Sequence, residues 1–163
     1  QEIMAPILNQ YEGKIKYSSL KLEKSFDFGK WTLDNSIIYQ MINQNDDILN
    51  LPKFMSRNTF FFSERIFRNT LAIQTGINFK IFSKYYANEY NPLISDFHIQ
   101  NQKKIGSFPL FDFFFNAKIR QTKIFIIAEH INSSFTGNNF YSTPESVYRD
   151  FGVRFGFKWN LFN

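Results

Sequence analysis

The sequence contains no cysteine. Without thiols the chain can form neither a disulfide scaffold nor a thiolate metal site, and it has no cysteine nucleophile. Long hydrophobic runs are also missing, because the longest uninterrupted apolar stretch is Ile124–Ala128, far short of the roughly 20 residues in a membrane-spanning helix. These absences exclude transmembrane helices but leave transmembrane strands open.

Glycine and proline are scarce, at 7 and 5 residues, which excludes a collagen or a low-complexity linker. Apolar residues make up 44% of the chain and aromatic residues 20%, far too many for a disordered segment. Alanine, the best helix former, occurs 5 times against 19 isoleucines and 22 phenylalanines. The composition therefore favours one folded, all-β domain over residues 1–163.

Alternating polarity predicts seven strands, since side chains on a strand point to opposite faces in turn. The alternation is clearest in four segments: Trp31–Met41, Leu71–Phe82, Phe111–Arg120 and Phe151–Leu161. It is weaker in three more: Lys14–Phe26, Phe54–Phe67 and Lys123–Ile131. No helical periodicity competes with these patterns, so the sequence predicts an antiparallel sheet.

The predicted strands are long, at about 9 to 14 residues against the usual 5 or 6. A tilted strand needs roughly 9 to 11 residues to cross a bilayer. Tight turns are predicted at Asp27–Lys30, Arg68–Thr70 and Gln121–Thr122, and long loops at Asn43–Lys53, Ser83–Phe108 and Asn132–Arg149. This alternation is typical of outer-membrane barrels, whose periplasmic turns are short and whose external loops are long.

In such a barrel, lumen-facing and lipid-facing side chains alternate along every strand. The predicted lumen-facing residues are Gln74, Asn78, Lys80, Asp112, Asn116, Lys118, Arg154 and Lys158. The predicted lipid-facing residues are Phe79, Ile81, Phe113, Phe115, Phe155, Phe157 and Trp159. Phe114 interrupts the polar set of its strand.

Aromatic residues gather near the strand ends, as in the girdles that mark membrane interfaces. Near the predicted inner side lie Phe26, Phe28, Trp31, Phe67, Trp159 and Phe162; near the outer side lie Tyr39, Phe54, Tyr85, Tyr86, Phe108, Phe111, Tyr148 and Phe151. The alternative is that a chain so rich in aromatic residues has some everywhere.

Several short stretches resemble the putative porin family of Bacteroidota outer membranes, in particular its C-terminal part. They are Leu51–Phe54, Thr75–Gly76, Lys84–Ala87, Tyr90–Pro92, Asn116–Ile119, Glu129–His130, Phe135–Asn139 and Arg154–Asn160. The resemblance implies an antiparallel outer-membrane β-barrel without catalytic residues or cofactors. The aromatic Phe162 near the end is similar to the terminal residue of many outer-membrane proteins, although Asn163 follows it.

Strand parity bears on how much of a barrel the chain contains. Seven strands are odd, whereas a bacterial barrel with both ends in the periplasm needs an even number. A further strand could lie in Ile3–Asn9 or in Leu93–Gln100, but a C-terminal piece of a larger barrel, with about seven or eight strands, is the simpler expectation. Residues Gln1–Gln10 lack a secretory signal, which suggests a mature form or a fragment.

Catalytic and metal sites have weak support, and we expect no enzyme activity and no cofactor. Glu129 and His130, with Ser133 or Ser134, could serve a hydrolase, but adjacent strand residues point to opposite faces, so Glu129 would not orient His130. His98 near Asp96, or the Asp46–Asp47 pair, could hold a hard cation. Acids on a loop are more often simply solvated.

The net charge of +5 does not indicate nucleic-acid binding, because the cations stand singly along the strands. Three functions remain: a pore for small hydrophilic solutes, a non-conducting scaffold within a larger outer-membrane assembly, and a soluble lipocalin-type barrel. The expected partners are outer-membrane lipid and, for a scaffold, other outer-membrane subunits. Strand length and loop alternation favour the membrane forms.

The charges on the predicted lumen face suggest a weak anion preference. This face carries Lys80, Lys118, Arg120, Arg154 and Lys158, with Asp112 opposing them. A positive wall favours anions. Alternatively, the cations pair with acids on strands that this sequence does not contain, or neutralise Asp34 and Glu129 across the wall.

Overall fold

The computed structural model describes residues 12–136 and 140–160. Their strands and one short helix are β1 (Lys16–Phe28), β2 (Trp31–Asn43), β3 (Phe54–Ile66), β4 (Leu71–Phe82), β5 (Glu89–Asn91), β6 (Asp96–His98), β7 (Leu110–Ile119), β8 (Thr122–Glu129), α1 (Ser133–Thr136) and β9 (Gly152–Trp159). The seven long strands match the seven predicted from alternating polarity. No helix in this part of the chain has the length and hydrophobicity needed to cross a membrane.

The seven long strands form a single antiparallel sheet in the order β1-β2-β3-β4-β7-β8-β9. The predicted all-β antiparallel fold is therefore confirmed. The sheet is open over the described residues, with β1 and β9 at its two edges. Barrel closure is thus not part of the observed fold.

The two places considered for a further strand have different outcomes. Within Leu93–Gln100, β6 pairs with β5 in a separate two-stranded hairpin and does not join the seven-stranded sheet. Ile3–Asn9 lies outside the described residues.

Short and long connections alternate as predicted. The turn between β1 and β2 places Gly29 at φ +67°, a left-handed conformation that glycine adopts without steric cost. The turn between β3 and β4 uses three consecutive left-handed residues, Phe67, Arg68 and Asn69. All short turns of the sheet lie at one end, which we call the short-turn end, and the long loops lie at the other, the long-loop end.

The buried apolar cluster of the described residues lies at the long-loop end. Phe108, Leu110 and Phe140 form its centre, and Phe82 and Tyr148 pack against them. The ring centroid of Phe108 lies 5.5 Å from that of Phe82 and 5.0 Å from that of Phe140, both in edge-to-face geometry. The long loops therefore pack onto the end of the sheet instead of extending freely into solvent.

Two buried glutamines fix the loops to this end. Gln40 Nε2 donates to the Pro52 carbonyl oxygen at 2.6 Å, and Gln40 Oε1 accepts a hydrogen bond from Tyr17 Oη at 2.9 Å. Gln100 Nε2 donates to the Ala87 carbonyl oxygen at 2.6 Å. Since both amides satisfy backbone groups that face away from water, they hold defined loop conformations.

Candidate functional site

Cross-strand register determines which side chains share a face, because residues directly opposite in an antiparallel pair point the same way. Asn78 lies opposite Asp112, and Gln74 lies opposite Asn116. With strand alternation, the register places all eight predicted lumen residues on one side of the sheet, called the polar face here: Gln74, Asn78, Lys80, Asp112, Asn116, Lys118, Arg154 and Lys158.

The same register places the predicted lipid-facing residues on the other side, called the apolar face: Phe79, Ile81, Phe113, Phe115, Phe155, Phe157 and Trp159. Phe155 and Phe157 expose 82% and 75% of their surface. An apolar patch of this kind marks a surface that contacts protein or membrane. The structure thus groups both predicted sets as the sequence pattern requires, while the surroundings of each face remain a prediction.

The polar face borders a cavity of about 790 Å³ across β1–β4. Its lining includes Lys21, Glu23, Asp34, Arg57, Thr59 and Lys80. These residues come from four adjacent strands, β1 to β4.

Ion pairs neutralise part of the polar face. Lys80 Nζ lies 2.6 Å from Asp112 Oδ2, and Arg154 Nη2 lies 2.5 Å from Glu129 Oε1. Glu129 Oε2 also lies 2.9 Å from Arg149 Nη1. The alternative that wall cations pair with Asp34 or Glu129 therefore holds for Arg154, whereas Lys80 pairs with Asp112.

A family model described as Putative porin matches residues 2–163, essentially the whole chain. The chain belongs to this porin family. No curated protein and no solved structure matches it significantly. This match confirms the resemblance to the family that the short motifs indicated.

The porin-family chain connects its polar face to a long loop through Asp112, which is only 7% exposed. Asp112 Oδ1 accepts the backbone N–H of His130 at 3.0 Å while Oδ2 pairs with Lys80. His130 is fully buried, and its Nδ1 lies 2.8 Å from the Arg149 carbonyl oxygen. Since the His130 ring also packs edge-on against Phe140, with centroids 4.5 Å apart, this junction holds the loop after β8 against the sheet.

We expect Asp112→Ala to lower the free energy of unfolding by about 1–2 kcal/mol, because it leaves the buried His130 N–H without an acceptor. Asp112→Asn keeps an acceptor oxygen and loses only the charge interaction with Lys80, whose side chain is 40% exposed. The asparagine variant should therefore lose less stability. Urea unfolding in detergent micelles measures both; equal losses would show that the charge, not the loop anchor, dominates.

The groups considered for catalysis and metal binding have other contacts in the porin-family chain. The Glu129 carboxylate binds two arginines and not the His130 imidazole. His98 Nε2 lies 3.5 Å from Glu89 Oε2 across the β5–β6 hairpin. Among residues 12–136 and 140–160, no three His, Cys, Asp or Glu side chains group as metal ligands. In the loop before this hairpin, burial raises the pKa of the Tyr85 phenol.

The apolar face also carries a row of polar residues that the sequence pattern does not reveal. Lys24, Asn35 and Asn58 lie directly opposite one another on β1, β2 and β3. Asn35 Nδ2 donates to the Lys24 carbonyl oxygen at 3.3 Å, and Asn58 Nδ2 donates to Ser56 Oγ at 2.9 Å. The Lys24 ammonium lies 5.7 Å from the centroid of the Phe26 ring. This row contributes to the weak alternation in β1 and β3.

Four further cations of the polar face were not predicted: Lys21, Arg57, Arg65 and Lys123. Lys123 lies opposite both Lys118 and Lys158. Arg65 lies opposite Ala72, which in turn lies opposite Lys118. No pattern within β8 alone assigns Lys123 to a face, because isoleucine and phenylalanine occupy both parities of that strand. Pairing the segment Lys123–Ile131 with the predicted strands before and after it would have assigned Lys123 to the polar face.

Proposed function

We propose that this chain forms wall strands of an outer-membrane β-barrel that lets small hydrophilic solutes diffuse passively. In this proposal the polar face lines the water-filled lumen and the apolar face contacts outer-membrane lipid. The observation that carries it is the segregation of both predicted sets onto opposite faces of one sheet. Membership of the porin family supports the outer-membrane location.

The proposed membrane location requires that both edges of the sheet be paired. β1 and β9 have no strand beyond them in the described residues. In hydrocarbon an open edge would leave backbone N–H and C=O groups unsatisfied at several kcal/mol each. A membrane barrel therefore requires both edges to pair, either with each other or with further strands.

Conductance of the purified protein in planar bilayers tests the pore. We expect stepwise current increases as molecules insert, and uptake of small neutral sugars by liposomes that contain the protein. Protein unfolded before addition is the control. Correctly inserted protein that gives neither current nor sugar uptake would contradict the pore and favour a scaffold.

A non-conducting scaffold is the second candidate, and the polar row of Lys24, Asn35 and Asn58 favours it. A lysine that faces lipid costs up to about 2–4 kcal/mol at the bilayer midplane, so a partner subunit over this row would remove a penalty. Because the sequence has no cysteine, Asn35→Cys introduces a single thiol for short-range cross-linking in native membranes. A heavier cross-linked product at Asn35→Cys, absent with Phe155→Cys, supports the scaffold.

We expect the pore to prefer anions over cations. After ion pairing, the cations left on the polar face are Arg57, Arg65, Lys118, Lys123 and Lys158, and the unpaired acids of the described strands there are Asp27 and Asp34. Such an excess raises the local anion concentration. Reversal potential in a salt gradient measures the preference. A cation-selective current would contradict the assignment of the polar face to the lumen.

A further inference from the structure

A row of cations crosses the polar face beside the short turns. Lys118, Lys123 and Lys158 lie directly opposite one another on β7, β8 and β9. Arg65 continues the row on β3, across Ala72 of β4. We call these four residues the cation row.

Directly opposed like charges destabilise a sheet. Side chains at opposite positions have Cβ atoms roughly 5 Å apart, so the Cβ atoms of the three lysines on adjacent strands lie within about 10 Å of one another. Such an arrangement persists at a cost to stability unless an anion compensates it. A bound anion would therefore reduce the electrostatic repulsion between the side chains of the cation row.

The described residues supply no such anion. Lys80 and Arg154, also on the polar face, each form an ion pair with an acid. The four members of the cation row are exposed and form no ion pair with any residue in 12–136 or 140–160. Neutralisation is thus confined to the part of the face away from the short turns.

The neighbouring positions on the same face are neutral and include hydrogen-bond donors. Two residues further along each strand lie Ser63, Gln74, Asn116, Phe125 and Gly156. Asn116 Nδ2 donates to Gln74 Oε1 at 3.4 Å, a long hydrogen bond that a stronger acceptor could replace. On the other side, the β7–β8 turn carries the exposed Arg120. The cation row therefore has amides on one side and a further cation on the other.

We propose that the cation row binds a phosphate dianion, either inorganic phosphate or the phosphate of a small phosphorylated solute. Lysine binds phosphate as a point charge, and rings of lysine or arginine occur in anion- and phosphate-conducting pores. The role of the row at the short-turn mouth of a lumen rests on the proposed pore. Phosphate binding itself requires only the sheet.

Binding of radiolabelled inorganic phosphate to the protein in detergent tests the site. The triple variant Lys118→Gln/Lys123→Gln/Lys158→Gln should bind phosphate at least about tenfold more weakly, since loss of about 1.4 kcal/mol of binding energy has this effect. The control Lys14→Gln/Lys16→Gln/Lys53→Gln removes the same charge from exposed positions outside the row. It should bind as the unmodified protein does.

Equal weakening in both triple variants would overturn the site, because net charge alone would then explain binding. Phosphate displaced as easily by chloride as by pyrophosphate would also overturn it. If the triple variant fails to fold, Lys123→Gln at the centre of the row should still weaken binding measurably, and unchanged affinity would overturn the proposal.

A lipid headgroup carries the same phosphate group as a free phosphate ligand. A second experiment distinguishes the two. Phosphate binding that occurs only after bound phospholipid has been removed supports the site with a headgroup as its occupant. Binding to lipid-containing protein supports a free phosphate ligand. The assay needs no current, so a protein that binds phosphate without conducting refutes the pore alone, and one that conducts without binding refutes the site alone.

Discussion

Phe155→Arg should lower the free energy of unfolding in lipid by about 2–4 kcal/mol, the cost of a lipid-facing arginine near the bilayer midplane. Phe155 lies at the middle of β9, opposite Ile126, and exposes most of its ring on the apolar face. Phe157→Arg lies one pleat closer to the short turns and should cost less, because the penalty decreases toward the interface. Urea unfolding of the protein folded into lipid vesicles measures this gradient.

Lys158→Arg is the matched control, since it places the same side chain at the adjacent position on the polar face. We expect a change within about 0.5 kcal/mol, as for most exposed substitutions. Equal tolerance of arginine at Phe157 and Lys158 would refute the assignment of faces. A large cost in detergent-free buffer but not in lipid would instead favour a soluble barrel.

Gly76→Val should lower stability at the upper end of the roughly 1–3 kcal/mol range for overpacking. Gly76 lies on the polar face between Phe61 of β3 and Phe114 of β7. A Cβ atom at position 76 would lie 2.6 Å from Phe61 Cβ and 2.7 Å from Phe61 Cα, whereas opposite Cβ atoms usually lie 4.5–5.5 Å apart. The backbone of β3 would have to move away, and the β3–β4 pairing would weaken.

Gly152→Val controls for the loss of a strand glycine without crowding. A Cβ atom at Gly152 meets no atom within 4 Å, and valine is favoured in strands. This variant should be neutral or slightly stabilising in the same unfolding experiment. A similar loss at both positions would show that crowding against Phe61 is not the cause.

Strands could be predicted wherever one face of the strand is apolar and the other is polar. In β4, β7 and β9 one parity is apolar and the other is mainly polar or glycine, so strand limits, facing and the polar set follow from the sequence. The register that aligns Asn78 with Asp112 was not predictable, because it depends on pairing between chain segments.

Other features depend on contacts that one strand does not reveal. Lys24 and Asn58 lower the polarity contrast in β1 and β3, and only the register shows that they form one row with Asn35. Lys123 belongs to the cation row through its two opposite lysines. The loop anchors also escaped prediction, since a glutamine such as Gln40 acquires its role from a carbonyl group in a loop.

The order of the strands in the sheet also has a consequence for folding kinetics. Most neighbours in the sheet are also neighbours along the chain, so most strand pairs can form after a single connection has closed. The exception is β4 with β7, where closing residues 83–109 costs chain entropy. Tyr85 and Ile105 shorten this closure, since each backbone N–H donates to the other's carbonyl oxygen at 3.0 Å. Once this bridge has formed, only the short segments between it and the two strands remain to be ordered when β4 pairs with β7.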